Sequence, residues 1–396
     1  MHYLIYADKF YFEKEIAEKG YLEIVDGVIG NFYQTLPDNM DWEIRDFSNF
    51  SIAPGLIDTH IHGFMNYDFM DLDGEGVLEI SNKLPSTGVT SFLPTLLTDS
   101  ADNIETACRI LADNAALASG AKIQGIYLEG PFFTQKYKGA QNPKYFLDPD
   151  LVIFNQWQNA ANGLIKKIAI APEKKGAINF IKALKKQGIV VALGHSDASY
   201  DQAVAAVEAG AEVFVHLYNG MSGLHHRNPG MVGACFNTDD SIAELICDGY
   251  HVHPGAVKTA INIKTTDRVA LITDSIRTNG MPEGEYTLGE FSVIYKDGTV
   301  RLTDSSNSLA GSCLKLIDAV NNVIDWGIVT PQEAIKMATL IPAESAGIAD
   351  ICGKISKGYP ADFIVLDQNM KLQETYLNGI RVYQCNSLIE GDSQNK

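Results

Sequence analysis

Eight of the nine histidines in this 396-residue chain follow directly on short apolar runs: His60, His62, His195, His216, His225, His226, His251 and His253, with His2 the exception. Two carboxylates occupy the same kind of place, Glu129 in Leu128-Glu129-Gly130-Pro131 and Asp274 in Leu271-Ile272-Thr273-Asp274. In His60-Ile61-His62 the imidazoles stand two residues apart. On an extended chain such residues project to the same side, so both can reach one ion. Taken alone, the pair reads equally well as two hydrogen-bonded histidines. A lone carboxylate at the end of an apolar run is costly to bury, so Glu129 calls for a cation or a partner. Glu129, His195 and His216 together supply one carboxylate and two imidazoles, which leave an open position on a divalent metal, as in catalytic rather than structural sites. Asp274 can take a proton from bound water and return it to a leaving amine; an N-cap or a further metal ligand would look the same in sequence.

A second cluster is basic. Asn219-Gly220-Met221-Ser222-Gly223-Leu224-His225-His226-Arg227 carries three consecutive donor side chains on a chain whose formal charge is −18, from 31 Lys and Arg against 49 Asp and Glu. Such a cluster suits an anionic group such as phosphate, with Arg227 offering a bidentate fork; its plain alternative is an exposed loop. Asp248 and His251 follow another apolar run, although Asp248-Gly249 is also a common turn. No GxSxG elbow, Walker loop, GxGxxG or CxxC pair is present, so serine hydrolase, NTPase, Rossmann and zinc-finger readings have no support.

The elements that must position these groups form a repeat. Eight β-branched runs, Ile52–Ile57, Val89–Leu96, Ile123–Leu128, Ile168–Ala171, Ile189–Leu193, Val213–Leu217, Ile242–Ile246 and Val269–Ile272, alternate with helix-like stretches such as 177–186 and 200–209. Continuous apolar strands alternating with helices imply a parallel sheet buried on both faces, and eight strands close into a (β/α)8 TIM barrel. An open doubly wound sheet is the alternative. Strand ends converge on one mouth of such a barrel, which is where the histidines and carboxylates lie. Residues 1–52 and 354–396 show shorter alternating stretches, expected to be the two parts of one small β domain flanking a barrel at 53–353. The polar stretch 390–396 is expected to fray.

Composition sets outer bounds. Apolar residues make up 46% and charged residues 20% of the chain, an ordinary globular balance. The acidic surface argues against nucleic-acid or anionic-membrane partners. Six scattered cysteines read as reduced thiols, and no apolar run approaches the length of a membrane span, so a cytoplasmic protein is expected.

With these residues in hand, the chain resembles the amidohydrolase superfamily. The carrying segments are 53–63 (APGLIDTHIHG), 128–133 (LEGPFF), 138–140 (KGA), 193–196 (LGHS), 216–219 (HLYN), 225–230 (HHRNPG), 248–254 (DGYHVHP), 273–274 (TD) and 309–312 (LAGS). The resemblance implies a barrel with a β-sandwich built from both termini, a homodimer, and removal of acetate from N-acetylglucosamine 6-phosphate. The galactosamine epimer is the near alternative; cyclic amides or N-acyl amino acids are the more distant ones. By position, Glu129, His195 and His216 match the principal metal ligands, and His60 and His62 a second metal site that only some members keep. The implied cofactor is one or two divalent ions per subunit, zinc or iron before manganese or cobalt. Asp274 matches the catalytic aspartate. Ala140, Gln141, Asn219, Gly220, His251, Leu309 and Ala310 match substrate contacts, and His226 and Arg227 match a pair that reaches phosphate across the dimer interface in related enzymes. At Gln141 many relatives carry histidine, and Gly220 and Gly223 stand where alanine and proline are more usual. No lysine follows the fourth run, in Ala171-Pro172-Glu173, so a carboxylated-lysine bridge is not expected, and Glu129 is the candidate bridge if two ions bind.

Overall fold

A computed structural model describes residues 1–38 and 42–385; the stretch 390–396 lies outside the described residues. Eight parallel strands form the centre: Leu56–Ile61, Val89–Leu97, Ile126–Phe132, Ile165–Ile170, Val190–Leu193, Val213–Phe214, Ile242–Ile246 and Val269–Ile272. Each pairs in parallel with the next, from Leu56 against Val89 to Ile246 against Ile272. The ring closes where Ile61 bridges Ser275 and the amide of His62 donates to the Ser275 carbonyl at 2.8 Å. A helix follows every strand; Ala177–Lys186 and Tyr200–Ala209 coincide with the helix-like stretches of the sequence. The first buries Ala177, Phe180, Ile181 and Leu184, which recur at helical spacing. The second is fixed at its start by a capping box between Ser199 and Gln202. These helices cover the strands, which is why the strands carry apolar residues on both faces.

The first barrel strand lies four residues later than the sequence suggests. Ile52, Ala53 and Pro54 end the long strand Glu43–Pro54, which belongs to a different sheet and pairs with Phe363–Leu366. Local hydrophobicity does not separate two consecutive apolar strands with only Gly55 between them. The sixth strand is shorter than the run Val213–Leu217, since the chain leaves the ladder after Phe214.

Both ends of the chain build one seven-stranded sheet, in which the N-terminal strands His2–Tyr11, Ile16–Val25, Val28–Tyr33 and Glu43–Pro54 join Phe363–Leu366, Leu372–Leu377 and Ile380–Gln384. It curls until Val28 bridges Pro360, making a small sandwich over a core of Tyr3, Ile24, Phe363 and Tyr376. A three-stranded sheet, Gly284–Leu288, Phe291–Lys296 and Thr299–Leu302, stands between the eighth barrel strand and the last helices, a feature that the sequence reading did not anticipate. No disulfide links any of the six cysteines, and Cys313 and Cys385 are only half-buried. Among the described residues no helix is long and apolar enough to cross a membrane.

Candidate active site

The barrel mouth brings the predicted ligands together. Glu129 stands inside the third barrel strand, opposite Leu97 and Ala169. Its Oε1 lies 3.1 Å from His216 Nε2, 3.2 Å from His195 Nε2 and 3.4 Å from His60 Nε2. The other oxygen, Oε2, lies 3.2 Å from His62 Nε2. Asp274 Oδ1 stands 3.3 Å from His62 Nε2 and 3.6 Å from His60 Nε2. Two sets capable of holding an ion result among the described residues, Glu129 with His195 and His216, and His60 with His62 and Asp274. Glu129 touches both.

The imidazoles are aimed by their second nitrogens. Nδ1 of His62 donates to the Thr95 carbonyl at 3.1 Å, that of His195 to Tyr137 at 3.0 Å and that of His216 to Asn219 at 3.0 Å, while His60 Nδ1 donates to Glu244 at 3.1 Å. With the proton held at Nδ1, each ring presents its Nε2 lone pair to the centre, the tautomer that a metal ligand needs. His60 Nε2 is buried without a hydrogen-bond partner. An orphaned, inward-facing imidazole nitrogen within a ring of carboxylate oxygens fits a divalent cation.

Electrostatics agree. Burial alone would push Glu129 up, but the surrounding histidines, His60 first, hold its carboxyl well below the usual range. Burial pulls His62 down, yet Asp274 and Glu129 outweigh it and raise the imidazole to about 9. Burial likewise raises Asp274, which His60 and His62 more than offset, so it is held low. Without an ion His60 and His62 thus carry positive charge that the carboxylates require, and a cation takes over that role when it binds.

The backbone pays for this convergence in strain. His195, His216 and Asp274 have φ of +45°, +29° and +50°, a left-handed region costing about 1–3 kcal/mol for residues with side chains. Neighbours hold each one there. Asp274 N donates to His60 O at 2.9 Å and its carbonyl accepts from Ser312 N at 2.8 Å. Near His195, Glu173 accepts from Ser196 Oγ at 2.6 Å, Asp197 N at 2.7 Å and Thr134 Oγ1 at 2.8 Å, tying together the turns after the third, fourth and fifth strands.

A cavity of about 480 Å³ opens above these groups, within the range of small-molecule sites. Gly139, Ala140, Gln141, Asn219, Gly220, His251 and Leu309 line it with His62, Glu129, His195, His216 and Asp274. Asn219 Nδ2 is buried and unpartnered, and His251 is held by Asp248 at 2.6 Å. Gln141 is oriented by its bonds, since Oε1 must accept from Thr98 N at 3.0 Å, which turns Nε2 to Glu129 Oε2 at 2.6 Å. Its amide therefore steadies the carboxylate. Ala310 lies behind the wall, packed with Leu97, Ile276 and Leu288, and its side chain does not line the cavity. His226 and Arg227 are exposed, bonded to each other at 2.7 Å, and outside the cavity of their own chain.

Sequence reasoning missed Lys136, Tyr137, Leu288 and Arg301, which also line the cavity. Leu288 and Arg301 come from the three-stranded sheet. Lys136 and Tyr137 immediately precede the KGA segment and were within reach of the sequence; Arg301 carried no signal there.

The comparisons follow the same line. The family model described as the amidohydrolase family matches residues 51–395. N-acetylglucosamine-6-phosphate deacetylase of Vibrio furnissii is 40% identical over 335 residues, 84% of this chain and 83% of that protein. N-acetylgalactosamine-6-phosphate deacetylase of Escherichia coli O157:H7 is 38% identical over 371 residues, 92% of this chain and 96% of that protein. Among solved structures, a mutant N-acetyl-D-glucosamine-6-phosphate deacetylase of Mycobacterium smegmatis in complex with N-acetyl-D-glucosamine-6-phosphate superposes with a TM-score of 0.91 at 27% identity, covering 97% of this chain and 100% of that one. The chain belongs to the amidohydrolase family, in the branch that holds the N-acetylglucosamine-6-phosphate and N-acetylgalactosamine-6-phosphate deacetylases.

Proposed function

We propose that the protein hydrolyses the acetamide of N-acetyl-D-glucosamine 6-phosphate to D-glucosamine 6-phosphate and acetate. The observation that carries this reading is the pairing of two ion-binding sets around Glu129 with an acid–base carboxylate, Asp274, at the floor of a cavity sized for a sugar phosphate. Glu129, His195 and His216 would hold one divalent ion, zinc or iron before manganese or cobalt, and His60, His62 and Asp274 a second. Such an ion supplies Lewis acidity to an amide carbonyl and makes water a competent nucleophile at neutral pH. Asp274 accepts the proton of the attacking water at a carboxylate oxygen and delivers it to the departing amine nitrogen. Without that delivery the C–N bond would have to expel an amide anion. Gln141 keeps Glu129 in place, and the unpartnered Asn219 amide and His251 meet the sugar and its substituents.

Phosphate recognition points to a second subunit. His226 and Arg227 face outward beside the exposed Leu224, which is 60% accessible, so the pair would serve the cavity of a partner in a homodimer. Arg227→Ala should therefore raise KM for the 6-phosphate by about a hundredfold while leaving hydrolysis of unphosphorylated N-acetylglucosamine unchanged. Equal losses on both sugars would remove the basic loop from phosphate binding. A cytoplasmic location follows from a phosphorylated substrate, which is confined to the compartment that makes it.

The galactosamine epimer is the second reading, favoured by a relative of that activity matching 92% of the chain. The deciding experiment measures acetate release from both 6-phosphates and from N-acetylglucosamine, on chelator-treated protein with and without added Zn²⁺, Fe²⁺, Mn²⁺ or Co²⁺. Metal-dependent release from the glucosamine 6-phosphate, faster than from its epimer, is expected. Three intact sugars under every metal would overturn the substrate assignment.

A further inference from the structure

Directly beneath the site the barrel interior is charged where such barrels ordinarily stack Val, Ile and Leu. Lys167, on the fourth strand, and Glu244, on the seventh, are both fully buried and paired across the interior. Glu244 turns its other oxygen upward, where it accepts His60 Nδ1 at 3.1 Å and, more weakly, the amide of His216 at 3.4 Å. Lys167 also lies 4.6 Å over the ring of Tyr127, whose edge meets the His60 ring at 5.1 Å and 87°. A buried ion pair of this kind is a poor stabiliser, since taking both charges out of water costs as much as their attraction returns, and an apolar pair would hold the barrel as well. The cost makes sense if the pair acts on what it touches.

We propose that Lys167 and Glu244 act as positioning residues that fix the ring of His60 and thereby set how tightly the His60, His62 and Asp274 position holds a divalent ion. Glu244 supplies the acceptor that keeps the His60 proton on Nδ1 and its Nε2 lone pair facing the centre. Lys167 occupies the remaining Glu244 oxygen, so the carboxylate stays anchored and its acceptor points at His60. His62, His195 and His216 lean on backbone carbonyls instead, so only His60 depends on this pair for its aim. Lys167 itself is not a ligand, because it stands two residues before Ala169, the neighbour of Glu129 in the ladder, and its ammonium is engaged by Glu244.

The inference rests on the two-ion reading above but is tested without substrate, so a failed deacetylase assay would leave it standing. Two neutral double variants separate the roles. Lys167→Met with Glu244→Gln keeps an acceptor for His60, whereas Lys167→Met with Glu244→Leu removes it. Chelator-treated full-length protein is titrated with Co²⁺, followed by visible absorption and by competition with a chromophoric chelator, and the thermal midpoint is measured metal-free. The wild type should take two equivalents. The Met/Gln protein should keep the second equivalent within about threefold, and the Met/Leu protein should weaken it by about ten- to a hundredfold with the first equivalent unchanged. The metal-free Met/Gln double should melt near the wild-type midpoint, and the Met/Leu double, which leaves the His60 Nδ1 proton and the His216 amide without their acceptor, should melt lower. Should either fail to fold, Glu244→Asp retains the charge, shortens the reach to His60, and should weaken the second equivalent alone. Equal second affinities in the two doubles, joint loss of both equivalents, or a wild type that takes only one would each overturn the proposal.

Discussion

Asp274→Asn should lower turnover by about a thousandfold, roughly 4 kcal/mol of transition-state stabilisation, while the protein stays folded and keeps the ion at Glu129, His195 and His216. The amide matches the carboxylate in shape and still faces His60 and His62, but it cannot accept the proton that the leaving amine needs. The check is single-turnover acetate release together with metal analysis of the same preparation. A rate within tenfold of wild type would take proton transfer away from Asp274; a collapsed rate with the Glu129, His195 and His216 ion retained would leave it there.

Glu129→Gln should act one step earlier. Its two oxygens touch His60, His62, His195 and His216, and no other carboxylate among the described residues does. Exchanging one oxygen for an NH₂ group turns a donor toward lone pairs already committed to the centre, so neither set should retain an ion. Elemental analysis should then show less than a tenth of the wild-type metal per chain, and added metal should not restore activity. The metal-free fold should survive, because the surrounding barrel contacts are independent of that carboxylate. A full complement of metal in this variant would show that the two sets do not share a ligand.

The histidines were legible because chemistry, not packing, explains a polar residue after an apolar strand. All of His60, His62, Glu129, His195, His216 and Asp274 were found that way. Gln141 lines the cavity, but its bond to Glu129 was not foreseeable, since it depends on Thr98, distant in sequence, fixing the orientation of the amide. Lys167 and Glu244 escaped for a different reason. The fourth run was read from Ile168 onward, one residue after Lys167, and Glu244 sat unremarked inside Ile242–Ile246; hydropathy alone cannot distinguish a charge that snorkels outward from one paired across a barrel. Arg301 was invisible because the three-stranded sheet that carries it interrupts the strand–helix repeat.

The terminal sheet imposes an order in time on a chain made from its N-terminus. The strand Glu43–Pro54 emerges early with His2–Tyr11 beside it, but its other neighbour, Phe363–Leu366, is synthesised more than 300 residues later. Until then the Ser51–Pro54 edge is an open template for any extended chain nearby. The whole barrel, metal ligands included, can be translated while its first strand hangs from an unfinished sheet. Arrival of Phe363–Leu366, rather than collapse of the barrel, is thus the event that completes the pairing of that edge.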